Sequence, residues 1–412
     1  MKTIKTFEEL PPEKLSWRLD LSKIPFKTSD ECKACEGIIG QERALKAIQT
    51  GLDIQSLGYN IFVTGMVGTG RTTTIKQFLE KMRKEEETPD DILYVNNFKK
   101  PDEPTLITLP AGKGRHFKQA MERLIEMLKT NIPELLKSKY YTEKRDEIVE
   151  SQQKVQKEIL KGFEEEVAKE GFSVIQVQMG LFVKPDLIPV IDGQPTPFNK
   201  LEALVREGKF PKEKIEELRK KYDELTDKLE EVFEKMKESE EKTRSMLKEW
   251  DEEAITPIIK GAISGIRSEF SLPKISDYLD DVEKTLIQNI DLFKAPKKEP
   301  KEREIGDPFL EYRVNLLIDN SDLKGTPVVM ETNPNYLNLF GSIEATLSKF
   351  GVWQTDFTKI KAGSLLKANG GYLVMNALDA LLEFGVWPTL KRTLKYQKLE
   401  IQNLSSLYLI ST

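Results

Sequence analysis

An α/β fold of the P-loop type, a parallel sheet interrupted by a large α-helical insertion, is what this 412-residue sequence predicts. Three observations predict it. The glycine-rich stretch GMVGTGRTTT, Gly65 to Thr74, lies between a short apolar run and a helical pattern. Lysine, glutamate and spaced apolar residues then dominate the middle of the chain with helical periodicity. Beyond them, short apolar runs alternate again with helical stretches, as in the opening part.

Residues 1–29 carry Pro11, Pro12 and Pro25 and read as an extended, irregular lead-in. Residues 30–117 form the first part of the α/β domain. Gln41 to Ile54 has helical spacing through Ala44, Ala47, Ile48 and Leu52, NIFVTG reads as a short buried strand, and Thr72 to Met82 is helical again. DILYVNNF and TLITLP supply two further strands across a proline-containing turn, and a parallel arrangement is expected.

Residues 118–294 read as a helical coiled-coil arm. Ile215, Leu218, Tyr222, Leu225, Leu229, Val232, Met236, Met246 and Trp250 alternate three and four apart in one phase, a seam of about five heptads. Ser239 and Thr243 break its apolar identity but not its phase. Upstream, Ile148, Val155, Ile159, Phe163 and Val167 make a similar stripe, so the two halves are expected to pair as an antiparallel hairpin. Residues 171–198 between them hold β-branched residues, glycines and four prolines, which end helical periodicity and predict a small, partly stranded tip. Phe172, Met179, Leu181 and Phe182 of this tip are candidate contacts for unfolded polypeptide, because apolar groups at the end of an arm are costly unless used. The alternative is that Phe172, Leu181 and Phe182 pack on one another. A charged, proline-flanked linker at 295–308 leads to residues 309–412, where the α/β pattern resumes. The chain reaches Thr412 at the end of a strand, which reads as the front part of a longer polypeptide.

Charge is abundant but balanced: 63 Lys and Arg against 68 Asp and Glu leave a net charge of −5, so no basic field argues for nucleic acid or a lipid surface. The Lys/Glu enrichment also suits a thermophile. No signal peptide and no run of 18 apolar residues is present, and the two cysteines, Cys32 and Cys35, suit a reducing cytoplasm. Their C-x-x-C spacing occurs in zinc and redox sites, but no second Cys or His pair completes four ligands, and His116 is the single histidine.

The loop matches G-x-x-x-x-G-K-[ST] except at one place. Gly65, Gly70 and Thr72 are in register, and Arg71 stands where lysine is usual. Gly65, Gly68 and Gly70 let the backbone turn its N–H groups inward, with Thr69 and Thr73 in the same cradle and the following helix adding its positive end. Arg71 keeps the charge but replaces a compact ammonium by a planar fork. Thr72 is placed to reach a magnesium ion, so ATP or ADP with Mg²⁺ is the ligand class to test, against a retained loop that binds nothing. Hydrolysis further needs an acidic residue at the end of a second strand. In GGYLVMNALDAL the diagnostic positions hold Asn376, a cofactor-binding candidate that can accept a metal-bound water but brings no negative charge, and Ala377, which can do no acid-base chemistry, while Asp379 reads as a helix cap. No serine, cysteine or histidine constellation for peptide or ester hydrolysis can be argued.

Taken together, GIIGQERALKAIQTGL before NIFVTGMVGTGRTTT, YVNNF followed by LPAGKGR, GFSVIQVQMG within the arm, and FGSIE through TDFTKIKAGSLLKANGGYLVMNALDALL resemble the AAA+ region of Lon-like proteases, and most nearly the bacterial C-type branch. The resemblance covers nearly the whole chain. It implies an AAA+ module interrupted by a helical insertion, a Ser–Lys peptidase domain beyond Thr412, a hexameric chamber, and degradation of unfolded proteins with eroded ATPase motifs. It puts Gly65 to Thr73 at the Walker A loop, Asn376 and Ala377 at the Walker B pair, LYLIST on the strand leading to sensor 1, and Gly40 and Gln41 in the segment lining the nucleotide base. Two readings stand against a degenerate scaffold. One is a working ATP-driven unfoldase with Asp379 or a neighbouring subunit supplying the carboxylate. The other is an SMC-like DNA-handling ATPase, which shares the layout but lacks the Ser-Gly-Gly signature here.

Overall fold

A computed structural model describes residues 9–32, 40–54, 56, 58–66, 68–82, 88–179, 182–294, 307–347 and 353–402; at 176–179 and 182–184 it describes the backbone alone. Cys35, Leu181, most of the linker (295–306) and LYLIST lie outside the described residues. The chain divides into two compact units. One joins Met1–Arg83 to Leu390–Gln397, and the other joins Lys84–Thr389 to Lys398–Thr412.

In the first unit the helices fall where the periodicity put them: α1 is Glu42–Asp53 and α2 is Arg71–Lys81. Helix α1 buries Gly51, and a Cβ there would stand 3.1 Å from Ile61 Cδ1. NIFVTG is not the buried strand its composition suggests. Residues 60–65 enter no described ladder, and Phe62 is 75% exposed. An apolar run becomes a strand only when a neighbour pairs its N–H and C=O groups, and composition does not report that neighbour.

The second unit is built from β1 (Asp91–Val95), β2 (Thr105–Leu109), α3 (Lys113–Leu136), α4 (Lys139–Lys169), β3 (Phe172–Met179), β4 (Phe182–Ile191), β5 (Gln194–Pro195), α5 (Phe198–Arg206), α6 (Lys212–Glu269), α7 (Pro273–Gln288) and α8 (Asp291–Lys294). It continues with β6 (Val314–Ile318), β7 (Val328–Glu331), α9 (Tyr336–Phe340), β8 (Ser342–Ile343), β9 (Thr346–Leu347), β10 (Trp353–Gln354), β11 (Ile360–Lys361), α10 (Ser364–Lys367), β12 (Tyr372–Met375), α11 (Ala377–Leu382) and the start of α12 (Val386–Tyr396).

The expected parallel sheet is corrected. Strand β1 lies between β2 and β6 and is antiparallel to both, while β7 and β12 form the parallel pair among the described residues. The turn after β1 explains the reversal. Asn97 accepts from the N–H groups of Lys99 and Lys100 at 3.1 Å, folding the chain straight back, whereas a parallel neighbour needs a crossover of a dozen residues or more.

The main core joins this antiparallel sheet to helices. Leu93, Val95, Ile107 and Leu109 meet Phe117, Leu124 and Leu128 of α3, Ile255, Ile259 and Ile263 of α6, and Leu279, Val282 and Leu286 of α7. Helix α3 begins on the sheet, so the 117/118 boundary drawn from composition falls inside it. Its start is fixed by Asp91, which is fully buried: one carboxylate oxygen accepts from Gly114 N–H at 2.8 Å and the other from Asn320 N–H at 2.7 Å. A Cβ at Gly114 would sit 2.8 Å from Asp91 Cβ, so only glycine permits this approach.

Helices α4 and α6 run antiparallel. Tyr141 faces Trp250 and Asp251, Gln152 faces Ser239, Glu166 pairs with Lys228, and Glu170 with Lys221 at 2.9 Å. The seam buries Ile215, Leu225, Leu229, Val232 and Trp250, with Leu218, Tyr222 and Met236 partly buried against it. Ser239 keeps the phase, being buried with its hydroxyl 3.5 Å from Gln152 Oε1. Val155 leaves the opposite stripe at 42% exposed. Toward the main core, Tyr141 and Lys294 both donate to the buried Asp251 carboxylate; burial first and then this bond raise the tyrosine's pKa.

Candidate functional site

Within the first unit the loop turns into α2 through Gly68 and Gly70, both at positive φ (83° and 73°). Gly70 is the helix N-cap, and no side chain caps the first-turn N–H groups. Thr69 is committed inside the loop, its hydroxyl donating to Met66 C=O at 2.8 Å. The Arg71 stem folds back over Gly65, where a Cβ would stand 3.1 Å from Arg71 Cδ. Thr72 and Thr73 are exposed on the first turn of α2. Gly40 and Gln41 lead into α1 with φ of 74° and 58°, and Gln41, its N-cap, is one of three non-glycine residues in the left-handed region among the described residues.

The residues expected at the second motif lie in the second unit. Strands β7 and β12 run parallel with Met375 opposite Glu331, and Asn376 follows at the carboxyl end of β12. Asn376 is the N-cap of α11: its side-chain oxygen accepts from Leu378 N–H at 3.0 Å. Asp379 is therefore not the cap expected of it. It sits in the first turn, where a negative charge favours the helix end. Glu331 was missed from the sequence, and only its place opposite Met375 reveals it. Both its oxygens are engaged, one by Asn333 N–H at 2.9 Å and the other by the buried Ser364 hydroxyl.

The loop's backbone fits an anion: glycine turns, an open helix start and an arginine at hand. The magnesium half does not fit. Asn376 brings no charge and its carbonyl is bound locally, Ala377 brings nothing, and Glu331 is doubly bonded. No group of three or more metal-ligating side chains occurs among the described residues, nor any helix long and apolar enough to cross a membrane.

The tip residues separate. Phe172 is 2% exposed and joins Phe163, Val167, Leu187, Leu225, Leu229 and Val232 in a second core, so it packs and does not present a contact. Met179 and Phe182 stand opposite each other where the β3–β4 hairpin ends, and Leu181 lies outside the described residues. Elsewhere a cleft of about 800 Å³ opens between α4, α6 and α7, lined by Gln152, Arg244, Asp251 and Lys294 among others.

A glycine-started helix in one unit, and in the other a parallel strand pair followed by Asn376, the N-cap of α11, are elements of an α/β type of protein. Two comparisons say which. Residues 324–412, with β7, β12 and Asn376, match the LonB-like AAA domain, and residues 91–124, with β1, β2 and the first half of α3, match the Lon-like LonC helical domain. No curated protein matches the chain. The two matched segments are similar to parts of the AAA+ region of Lon-like proteases.

Proposed function

We propose that this chain is a scaffold and substrate-receiving module in which the AAA+ engine no longer turns over ATP. The observation that carries the reading is Asn376: at the position of the Walker B acid stands a neutral residue whose side chain is bonded to Leu378 N–H, followed by Ala377. The glycine loop retains the means to hold phosphate, so ATP or ADP binds without being consumed. When bound, the nucleotide would supply charge and order to the loop; Gly65 to Thr73 would hold the phosphates, with Gly40 and Gln41 beside the base. The test is twofold: magnesium-dependent ATP turnover by the purified protein, and calorimetric titration of ATP and ADP. Nucleotide heat without turnover is the expected result, and a clear magnesium-dependent rate sinks the proposal.

The remaining parts follow from the same reading. The chain assembles as a homo-oligomer, a hexamer by resemblance, and admits unfolded polypeptide to a downstream Ser–Lys peptidase domain. Exposed apolar groups on and after α11, Leu382 at 76% and Phe384 at 75%, support burial against a second copy. Helices α4 and α6 form a coiled arm inserted into the AAA+ module, whose end, at Met179 to Phe182, meets substrate. The match at 91–124 and the shared core of β1, β2 and α3 favour placing the start of the helical domain near residue 91. No nucleic acid or membrane partner is needed.

A further inference from the structure

The two edges of the β3–β4 hairpin differ in what they offer. Val190 N–H donates to Gly171 C=O at 2.8 Å, and the register continues without a break from Phe172 opposite Pro189 to Met179 opposite Phe182. In an antiparallel ladder, bonded and non-bonded pairs alternate. Ser173, Ile175, Val177 and Met179 therefore bond β4, while Val174, Gln176 and Gln178 direct N–H and C=O to the outer edge of β3. On β4 the outward residues are Val183, Pro185, Leu187 and Pro189. The prolines have no N–H, Leu187 N–H is taken by Asp186 Oδ1 at 2.8 Å, and Pro189 C=O accepts from Thr196 N–H at 2.8 Å. From Pro185 to Pro189 that edge therefore offers no outward donor, and Val183 alone keeps one. Strand β3 has no such protection: FSVIQVQM holds no proline and no charge, and among the described residues it pairs with β4 alone.

We infer that the outer edge of β3 receives an uncharged, extended segment of an unfolded polypeptide as an added strand, main chain to main chain. The complement of alternating N–H and C=O groups along an edge is another extended backbone. The absence of charge along β3 selects uncharged segments, and the donor-poor β4 edge directs pairing to one side. Recognition through backbone explains how one site accepts many sequences. The inference rests on the reading that the hairpin meets unfolded chains, and adds the mode of contact.

The test uses the whole chain and a fluorescein-labelled, uncharged peptide of Thr, Val, Gln and Ser about ten residues long, followed by anisotropy. A second peptide has the same side chains but N-methyl groups on alternate amides. Gln176→Pro removes one outward N–H and leaves the ladder to β4 intact; the facing residue, Pro185, already has that chemistry. Gln176→Val is the control. The expected results are binding of the plain peptide, at least ~10-fold weaker binding after N-methylation or Gln176→Pro, and no change for Gln176→Val. Equal binding of both peptides overturns the strand-addition mode and leaves a side-chain contact at the tip standing. No binding of either overturns both readings. Concentration-dependent self-association lost on Gln176→Pro assigns the edge to a second copy and overturns the inference. The methylated peptide keeps the test decisive even if the proline variant does not fold.

Discussion

Helices α2 and α3 start alike and end up with opposite uses. Each begins on a glycine in the left-handed region, Gly70 at φ 73° and Gly112 at φ 82°, and neither N-cap supplies a side-chain bond. At α3 the protein supplies its own anion: the buried Asp91 carboxylate takes Gly114 N–H and ties the helix to β1 and to the turn after β6. At α2 no side chain among the described residues caps the start, and Arg71 adds a positive charge beside the turn. A helix start filled from within is a structural joint, whereas one left open has capacity for a ligand. Helix α11 shows a third outcome, with the Asn376 side chain capping its own helix.

Three substitutions test that contrast, and a fourth probes the core beside it. The largest effect is expected at the filled joint: Asp91→Ala leaves two buried N–H groups without an acceptor and should cost about 2–5 kcal/mol by urea denaturation. A small change there would mean that α3 does not depend on its internal anion. At the open start, Gly70→Val forces a branched residue into the left-handed region, at a cost of about 1–2 kcal/mol. It should weaken nucleotide binding in calorimetry by about tenfold or more, with the Asp91 joint unaffected; unchanged binding would move the ligand elsewhere. Asn376→Ala removes a cap and should lower stability by about 1 kcal/mol without altering nucleotide affinity. Should it abolish a magnesium dependence instead, Asn376 is a ligand and the contrast with α2 disappears. The smallest effect is expected in the main core, where the Tyr278 hydroxyl is buried without a hydrogen-bond partner among the described residues. Tyr278→Phe should be neutral or stabilising by up to about 1 kcal/mol in thermal melts.

Helices were legible in the sequence because apolar spacing records which face a helix buries. The seam from Ile215 to Trp250 could be read almost residue by residue, including the silent position at Ser239. Strand identity was legible at β1, β2 and β12, but strand direction was not. Asn97 decides the antiparallel return of β2 through local bonds, and nothing in DILYV states it. NIFVTG has the composition of a buried strand, yet pairing depends on a neighbour that the run itself does not encode. At the candidate site, Arg71, Asn376 and Ala377 could be found because the surrounding pattern sets what those positions should hold. Glu331 could not, since its importance comes from standing opposite Met375. Phe172 shows the converse limit: an aromatic beside glycine reads equally as contact or core, and only its seven-residue cluster decides.

Helix α6 has 58 residues and is continuous from beneath the β3–β4 lobe to the main core, a rod of about 87 Å. Its last turns, from Ile255 to Ile266, are clamped between α3, α7 and the sheet, and Pro257 interrupts its hydrogen bonding just inside that clamp. Such a rod is a lever with its pivot at the base. A tilt of about 5° at Pro257 sweeps the part of α6 beneath the lobe, at Tyr222, through roughly 5 Å over the some 50 Å between them, so small repacking beside β1 is magnified at the far end, and a load at the far end is returned to the core as torque.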